Sequence, residues 1–332
     1  MHAFVQAFVP ASIIPLVVTG VIAGTSIWIG ALLPVANIGR RGKWSIGWGW
    51  LLVSLAAVHL ALISAPAGYR MLAIVLITLL GTKALVHVEW VLRQLDARPL
   101  TPLRYGLFAL GWLGMRPEVF SVRHTRPVSA PGWLLRGTAC FATGGLLLVL
   151  AREWSGGIIT DLLLLAGLSL TLHFGLLTLS AWAFRRAGFR ANLLFRNPFA
   201  AKTLSDFWAR YWNLGYVEMT SRLVHRPARQ FLSAHGRNGA IAPLLIAFAF
   251  SGLLHEAAIT LPVMRAFGLP LGYFTLHAAL VIFESEIPSV RLFLTGHPFI
   301  ARLWVIGTLA LPLPLLFVRP FVDQVLRPLI GL

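Results

Sequence analysis

A chain of 332 residues with 58% hydrophobic and 12% charged residues, and a mean hydropathy of +0.79, holds half the charge of a soluble domain, for which ~25% is usual. Its apolar residues come in blocks of roughly 20, enough to cross about 30 Å of hydrocarbon; secreted, disordered and disulfide-stapled classes are excluded, and Cys140 has no partner in the chain. The formal charge of +17 reads first as loop charge that orients a membrane protein and second as attraction for an anionic cytosolic substrate or lipid head group, with no nucleic acid partner expected.

The blocks predict an all-α, polytopic integral membrane protein of about eight transmembrane helices, at approximately 11–35, 45–64, 71–91, 134–151, 158–182, 240–264, 268–287 and 301–321. The stretch from Ala3 to Gly39 has no charge and is too long for one upright helix, so an interfacial piece is expected before the first span. It lacks a basic leader and a cleavage motif, and reads as retained. In the third span Lys83 and His87 share a face, with Trp90 one turn on. A lysine there has a Schiff-base or proton-relay reading, but His87, Glu89 and Trp90 at the span's end fit boundary anchoring better. Loop 92–133 contains TPLRYGLFALGWLGM, whose apolar part is too short to span and reads as re-entrant or interfacial.

Loop 183–239 is the longest polar stretch. Within it lies TLSDFWARYWNL, residues 203–214. Thr203 or Ser205 can cap a helix, with Asp206 at the positive end of its dipole. A 3.6-residue period places Asp206, Arg210 and Asn213 on one stripe, with an i, i+4 ion pair between the first two. Phe207, Trp208, Tyr211 and Trp212 fill the other faces. An interfacial aromatic anchor and a functional helix both fit this pattern.

The next span contains SGLLHEAA, residues 251–258, where His255 and Glu256 follow a run from Ala240 to Leu254 without an ionisable group. An ionisable group at membrane depth costs roughly 2.5–3.5 kcal/mol and points to a site or a wet cavity. Ser251 and Gly252 lie one turn before His255, Ala258 one turn after, and Phe248 bounds the patch. Small residues there mean either close helix packing or room for a substrate chain. For His255 alone, a site and a buried hydrogen-bonded histidine stay equally open. Glu256 points about 100° away and is expected in a structural ion pair. His59, His173, His277 and Glu284 are single occurrences, read as hydrogen-bonded packing residues.

Charge placement supports the span count. Of 28 basic residues, 22 fall in or beside loops 36–44, 92–133, 183–239 and 288–300, and five on the other side. That alternation places both ends of the chain on the non-cytoplasmic side.

A cytoplasmic FWxRxWN segment followed about 40 residues later by an intramembrane histidine among small residues resembles the membrane-bound O-acyltransferase superfamily. RNPFAAKTLSDFWARYWNL (196–214) is similar to the wax synthase pattern, in which Pro and a Ser-Leu pair (here Thr203 and Leu204) precede FWGRRW. GMRPEVF (114–120) resembles a further segment of that branch. Ala209 and Tyr211 stand where that pattern has Gly and a second Arg. The resemblance is strongest over 196–260 and covers the whole chain through span count, as one membrane-embedded domain, 1–332.

The resemblance implies helices around a membrane-embedded chamber, with interfacial helices in the cytoplasmic loops. It implies acyl transfer from acyl-CoA, a substrate rather than a cofactor, to the hydroxyl of a lipophilic alcohol. The family's two catalytic positions map onto Asn213 and His255. Trp208, Trp212, Ser251 and Gly252 are expected to contact substrate, and Lys202 and Arg210 the CoA phosphates, with Arg196 a third basic residue in place. A diacylglycerol, sterol or carotenoid glycoside acceptor is the alternative within the class. A proton-coupled transporter is the alternative outside it, and requires an inverted repeat that the sequence lacks. The host membrane is a bacterial inner membrane or an endoplasmic reticulum; metal ligation is not expected.

Overall fold

The computed structural model describes residues 2–93, 98–154, 156–233 and 236–332. It divides into two compact units, residues 1–192 with 323–332, and residues 193–322. Among the described residues every regular element is helical, and seven helices are long and apolar enough to cross a membrane.

Five of these belong to the first unit: α1 (Ile14–Leu32), α2 (Arg40–Ala61), α3 (Ala67–Arg93), α4 (Trp133–Glu153) and α5 (Ile158–Arg186). The uncharged N-terminal stretch splits as expected, into a short helix His2–Phe8 and then α1. Helix α2 begins earlier than its apolar block, because Lys43 turns its ammonium onto the Pro34 carbonyl at 2.6 Å. Helix α3 is the most buried of the five. Its Lys83, 0% exposed, donates to the carbonyls of Phe108, Trp112 and Gly114 at 2.6–2.7 Å and lies over the Phe108 ring. Three carbonyls around one ammonium leave no room for Schiff-base chemistry, so Lys83 pins the apolar segment Pro102–Gly111 against α3. His87 does the same work from the next turn. Its Nδ1 meets the Gly30 carbonyl at 2.9 Å and its Nε2 accepts from the Leu100 amide at 3.1 Å, with Tyr105 stacked on the ring. Glu89 is held by the Trp44 indole, Arg40 and Arg93. The α4–α5 hairpin closes on small residues: a Cβ at Gly144 would stand 2.8 Å from the Gly167 carbonyl oxygen, and one at Gly175 2.8 Å from the Phe141 Cα.

The second unit holds a short helix α6 (Leu214–Thr220), then α7 (Gly236–Val263), α8 (Leu269–Glu286) and α9 (Pro298–Leu316). Helices α7 and α9 complete the seven. The seventh expected span, 268–287, is the helix α8, but it falls short of the seven in apolar character because His277, Glu284 and Glu286 interrupt it. Its 18 residues still measure about 27 Å.

Candidate active site

The site is built from the 194–216 segment, α7 and α8, all within the second unit. Two backbone hydrogen bonds fold the segment into a clip: Arg196 N to Tyr211 O at 2.9 Å and Leu214 N to Leu194 O at 2.8 Å. Thr203 caps the turn Leu204–Asp206, its Oγ1 accepting from the Asp206 amide at 3.0 Å. Glu284 of α8 reaches the same helix start. Its carboxylate accepts from the Leu204 amide at 2.9 Å and from the Trp304 indole at 2.6 Å. An anion at a helix N-terminus satisfies orphaned amides and opposes the dipole, so Glu284 is a packing residue, as its isolation in the sequence implied.

The expected ion pair forms, Arg210 to Asp206 at 3.2 Å. The stripe does not extend to Asn213. After Asp206 the backbone widens into a π-type turn, Phe207–Tyr211, and Trp212 is extended. Asn213 then adopts the left-handed conformation (φ 44, ψ 60), which asparagine tolerates better than most residues. Its side chain starts a new helix: Oδ1 accepts from the Tyr216 amide at 3.2 Å, the N-cap geometry of α6. The amide nitrogen of Asn213 meets no other group among the described residues.

His255 projects from α7. Its Nδ1 lies 2.7 Å from the Ser251 carbonyl one turn earlier, so Nδ1 carries the hydrogen and Nε2 presents a lone pair. No group among the described residues meets Nε2, and the side chain is only partly buried. Phe274 of α8 packs on the imidazole with ring centroids 4.3 Å apart, and Tyr216 lies on another side at 6.2 Å. Tyr216 therefore connects the two expected catalytic positions, through its backbone to Asn213 and through its ring to His255. Sequence reading passed it over. The Asn-x-x-Tyr spacing was its available signal, since an N-cap side chain bonds the amide of the third residue on.

The remaining expected contacts separate. Trp208 points into the α7–α8 packing, 5.4 Å from His277, 5.7 Å from Phe274 and 6.1 Å from Phe248. Trp212 is stacked on Phe207 and edge-on to Phe195, and with Trp208 packs on the cluster around Leu204 and Val305. Gly252 serves close packing: a Cβ there would stand 2.9 Å from the Leu271 Cα, so its smallness gives no room for a chain. Ser251 turns its hydroxyl back to the Ala247 carbonyl at 3.0 Å while its own carbonyl orients His255. Among the described residues Glu256 makes no ion pair of the kind expected. It accepts from the Leu271 amide at 3.0 Å and from the Thr260 hydroxyl, capping α8 much as Glu284 caps residue 204. Arg196 and Lys202 are exposed, and Arg210 keeps 74% of its side chain in the open despite its partner. An apolar groove of about 500 Å³ runs along Phe283, Phe293, Ile300 and Trp304; His255 is not among its lining residues.

Residues 191–275, which contain the clip, α6, His255 and Phe274, match the membrane bound O-acyl transferase family. The long-chain-alcohol O-fatty-acyltransferase of Simmondsia chinensis is 33% identical over 96 residues, 28% of this chain and 27% of that protein. The probable long-chain-alcohol O-fatty-acyltransferase 1 of Arabidopsis thaliana is 25% identical over 270 residues, 77% of this chain and 78% of that protein. An acyl-CoA–sterol O-acyltransferase from the same plant is 36% identical over 63 residues, 19% of this chain and 18% of that protein.

Proposed function

We propose that the chain, which matches the membrane bound O-acyl transferase family over residues 191–275, transfers a fatty acyl group from acyl-CoA to the hydroxyl of a long-chain alcohol, forming a wax ester. The family supports acyl transfer to oxygen. Similarity to long-chain-alcohol acyltransferases over 77% of the chain supports the acceptor. The observation that carries the chemistry is the state of His255: a tied Nδ1, an unpartnered Nε2 and a place in a membrane-spanning helix.

An alcohol is a poor nucleophile toward a thioester. In this reading His255 Nε2 takes the hydroxyl proton as the alcohol oxygen attacks the thioester carbon, a contribution of roughly 10²–10⁴-fold. The carbonyl oxygen becomes an oxyanion, and the free amide of Asn213 is the donor supplied to it, worth about 3–4 kcal/mol. Collapse of the intermediate breaks the carbon–sulfur bond, and the imidazolium returns its proton to the CoA thiolate. No acyl-enzyme is needed. Exposed Lys202, Arg210 and Arg196 are the groups offered to CoA phosphates, with the loop that carries them on the cytoplasmic side.

The test is reconstitution. Protein in lipid nanodiscs is given labelled acyl-CoA with a fatty alcohol, a diacylglycerol or a sterol. The expected product is the wax ester, formed faster than any other ester. His255→Ala is expected to lower the rate by about 10²–10⁴-fold. Equal activity of that variant at equal folded protein removes His255 from the mechanism, and a sterol ester as the main product moves the acceptor to the sterol class, which the shorter 36% match favours.

A further inference from the structure

Folded interiors rarely leave buried side-chain polar atoms without partners. In the second unit four such atoms occur among the described residues: Trp208 Nε1, Tyr216 Oη, Thr220 Oγ1 and His277 Nε2. They are not scattered. Tyr216 is in ring contact with His255, His255 with Phe274, Phe274 with Trp208 and Trp208 with His277. Thr220 lies one turn beyond Tyr216 on α6. Unsatisfied polar capacity is thus gathered around the one imidazole that the acyl-transfer reading uses.

We propose that the Tyr216 hydroxyl is a further catalytic group, the second hydrogen-bond donor to the oxyanion formed on the thioester carbonyl. This rests on the acyl-transfer reading above. The geometry has three parts. Among the described residues the rings of Tyr216 and Phe274 adjoin His255 and only the first bears a hydroxyl, so that hydroxyl and the base belong to the same surroundings. Its polar neighbours are the side chains of Ser251 and Thr220, yet neither completes a hydrogen bond of good geometry with it, so a substrate oxygen can compete for the O–H. Its position is fixed by Asn213, whose Oδ1 holds the Tyr216 amide. Burial pushes the phenol above its ordinary pKa, which keeps the proton on oxygen, as a donor requires. The step stays balanced: the alcohol proton goes to His255 and on to the CoA thiolate, while Tyr216 donates a hydrogen bond and transfers nothing.

The role of Asn213 changes with this assignment. It acts both through its own amide and by positioning Tyr216.

Tyr216→Phe removes one oxygen atom and its contacts to Ser251 and Thr220, neither of them a hydrogen bond of good geometry, so its melting temperature is expected to stay within a few degrees of wild type. Its kcat is expected to fall about 10²–10³-fold, with KM for acyl-CoA and for the alcohol within about twofold. Tyr105→Phe is the control. That hydroxyl is also buried and unpartnered, but it belongs to the first unit, packed on His87, and its loss should leave kcat unchanged. A site-specific difluorotyrosine at 216 keeps the donor and should restore kcat to within several-fold of wild type. Full kcat in folded Tyr216→Phe, or an effect confined to KM, overturns the assignment. A fall that the fluorinated residue does not reverse also overturns it. Failure of the wild type to esterify any acceptor overturns the underlying reading instead.

Discussion

Asn213 joins a backbone role to a proposed chemical one. It sits at φ 44, a conformation that costs most side chains about 1–2 kcal/mol, and it caps α6. Two substitutions separate these roles. Asn213→Gly keeps the left-handed backbone and loses only a few tenths of a kcal/mol of capping, so the protein should melt within a degree or two of wild type. Its ester formation should still fall by at least about tenfold, since the carboxamide is gone. Asn213→Ala adds strain and a lost cap, about 2–3 kcal/mol together, and should lower the melting temperature as well. Wild-type rates in Asn213→Gly would leave residue 213 a purely structural cap. His255 was legible in the sequence because an ionisable group in an apolar span advertises itself. The geometry of Asn213 was not, because helical periodicity carried the stripe past Tyr211, where the backbone widens and turns. Tyr216 was hidden for a different reason: its signal, the Asn-x-x-Tyr spacing, counts only once Asn213 is known to cap a helix.

At the scale of elements, the intramembrane carboxylates show how composition misleads. Glu256 and Glu284 suggest a site by their depth, yet each is spent on backbone amides at the start of another helical segment. A helix end in low dielectric needs that satisfaction more than one in water, and no sequence spacing reveals which end a carboxylate will meet. The glycines of α4 are more direct. Gly144 faces Gly167 and Thr171 of α5, whereas neighbouring Gly145 has nothing within 4 Å of where its Cβ would be. Gly144→Leu therefore forces the hairpin apart, with a loss of about 1–3 kcal/mol from overpacking, while Gly145→Leu adds an apolar side chain to a lipid-facing surface. Melting curves of the two variants in one detergent should differ by several degrees, with only Gly144→Leu below wild type. Equal melting temperatures would mean that the seam of small residues is not what closes α4 on α5.

For the whole molecule the open quantity is the parity of membrane crossings, and α8 decides it. By apolar character alone seven helices qualify, which would place the two ends of the chain on opposite faces. Contacts within the first unit argue otherwise. The turn Arg327–Ile330 packs against the helix His2–Phe8, and Arg327 pairs with Asp161 at the start of α5 at 2.8 Å. Phe8 in turn occupies the space that a Cβ at Gly68, at the start of α3, would need. These four points gather at one end of the unit, so the chain between residues 8 and 327 crosses an even number of times. That requires α8 to span, with His277, Glu284 and Glu286 carried because His277 and Glu284 are buried against protein. An even count is also what the alternation of basic loops expects, with 22 of 28 Lys and Arg in or beside alternate loops. Single cysteines placed at Gln6, Leu332 and Lys202 in a Cys140→Ser background, probed in sealed vesicles with a membrane-impermeant maleimide, read the arrangement directly. Residues 6 and 332 should label from the same, non-cytoplasmic side, and residue 202 from the other. Labelling of 6 and 332 from opposite sides would mean that α8 lies in the interface, and that the face from which the proposed acyl-CoA substrate reaches His255 must be assigned afresh.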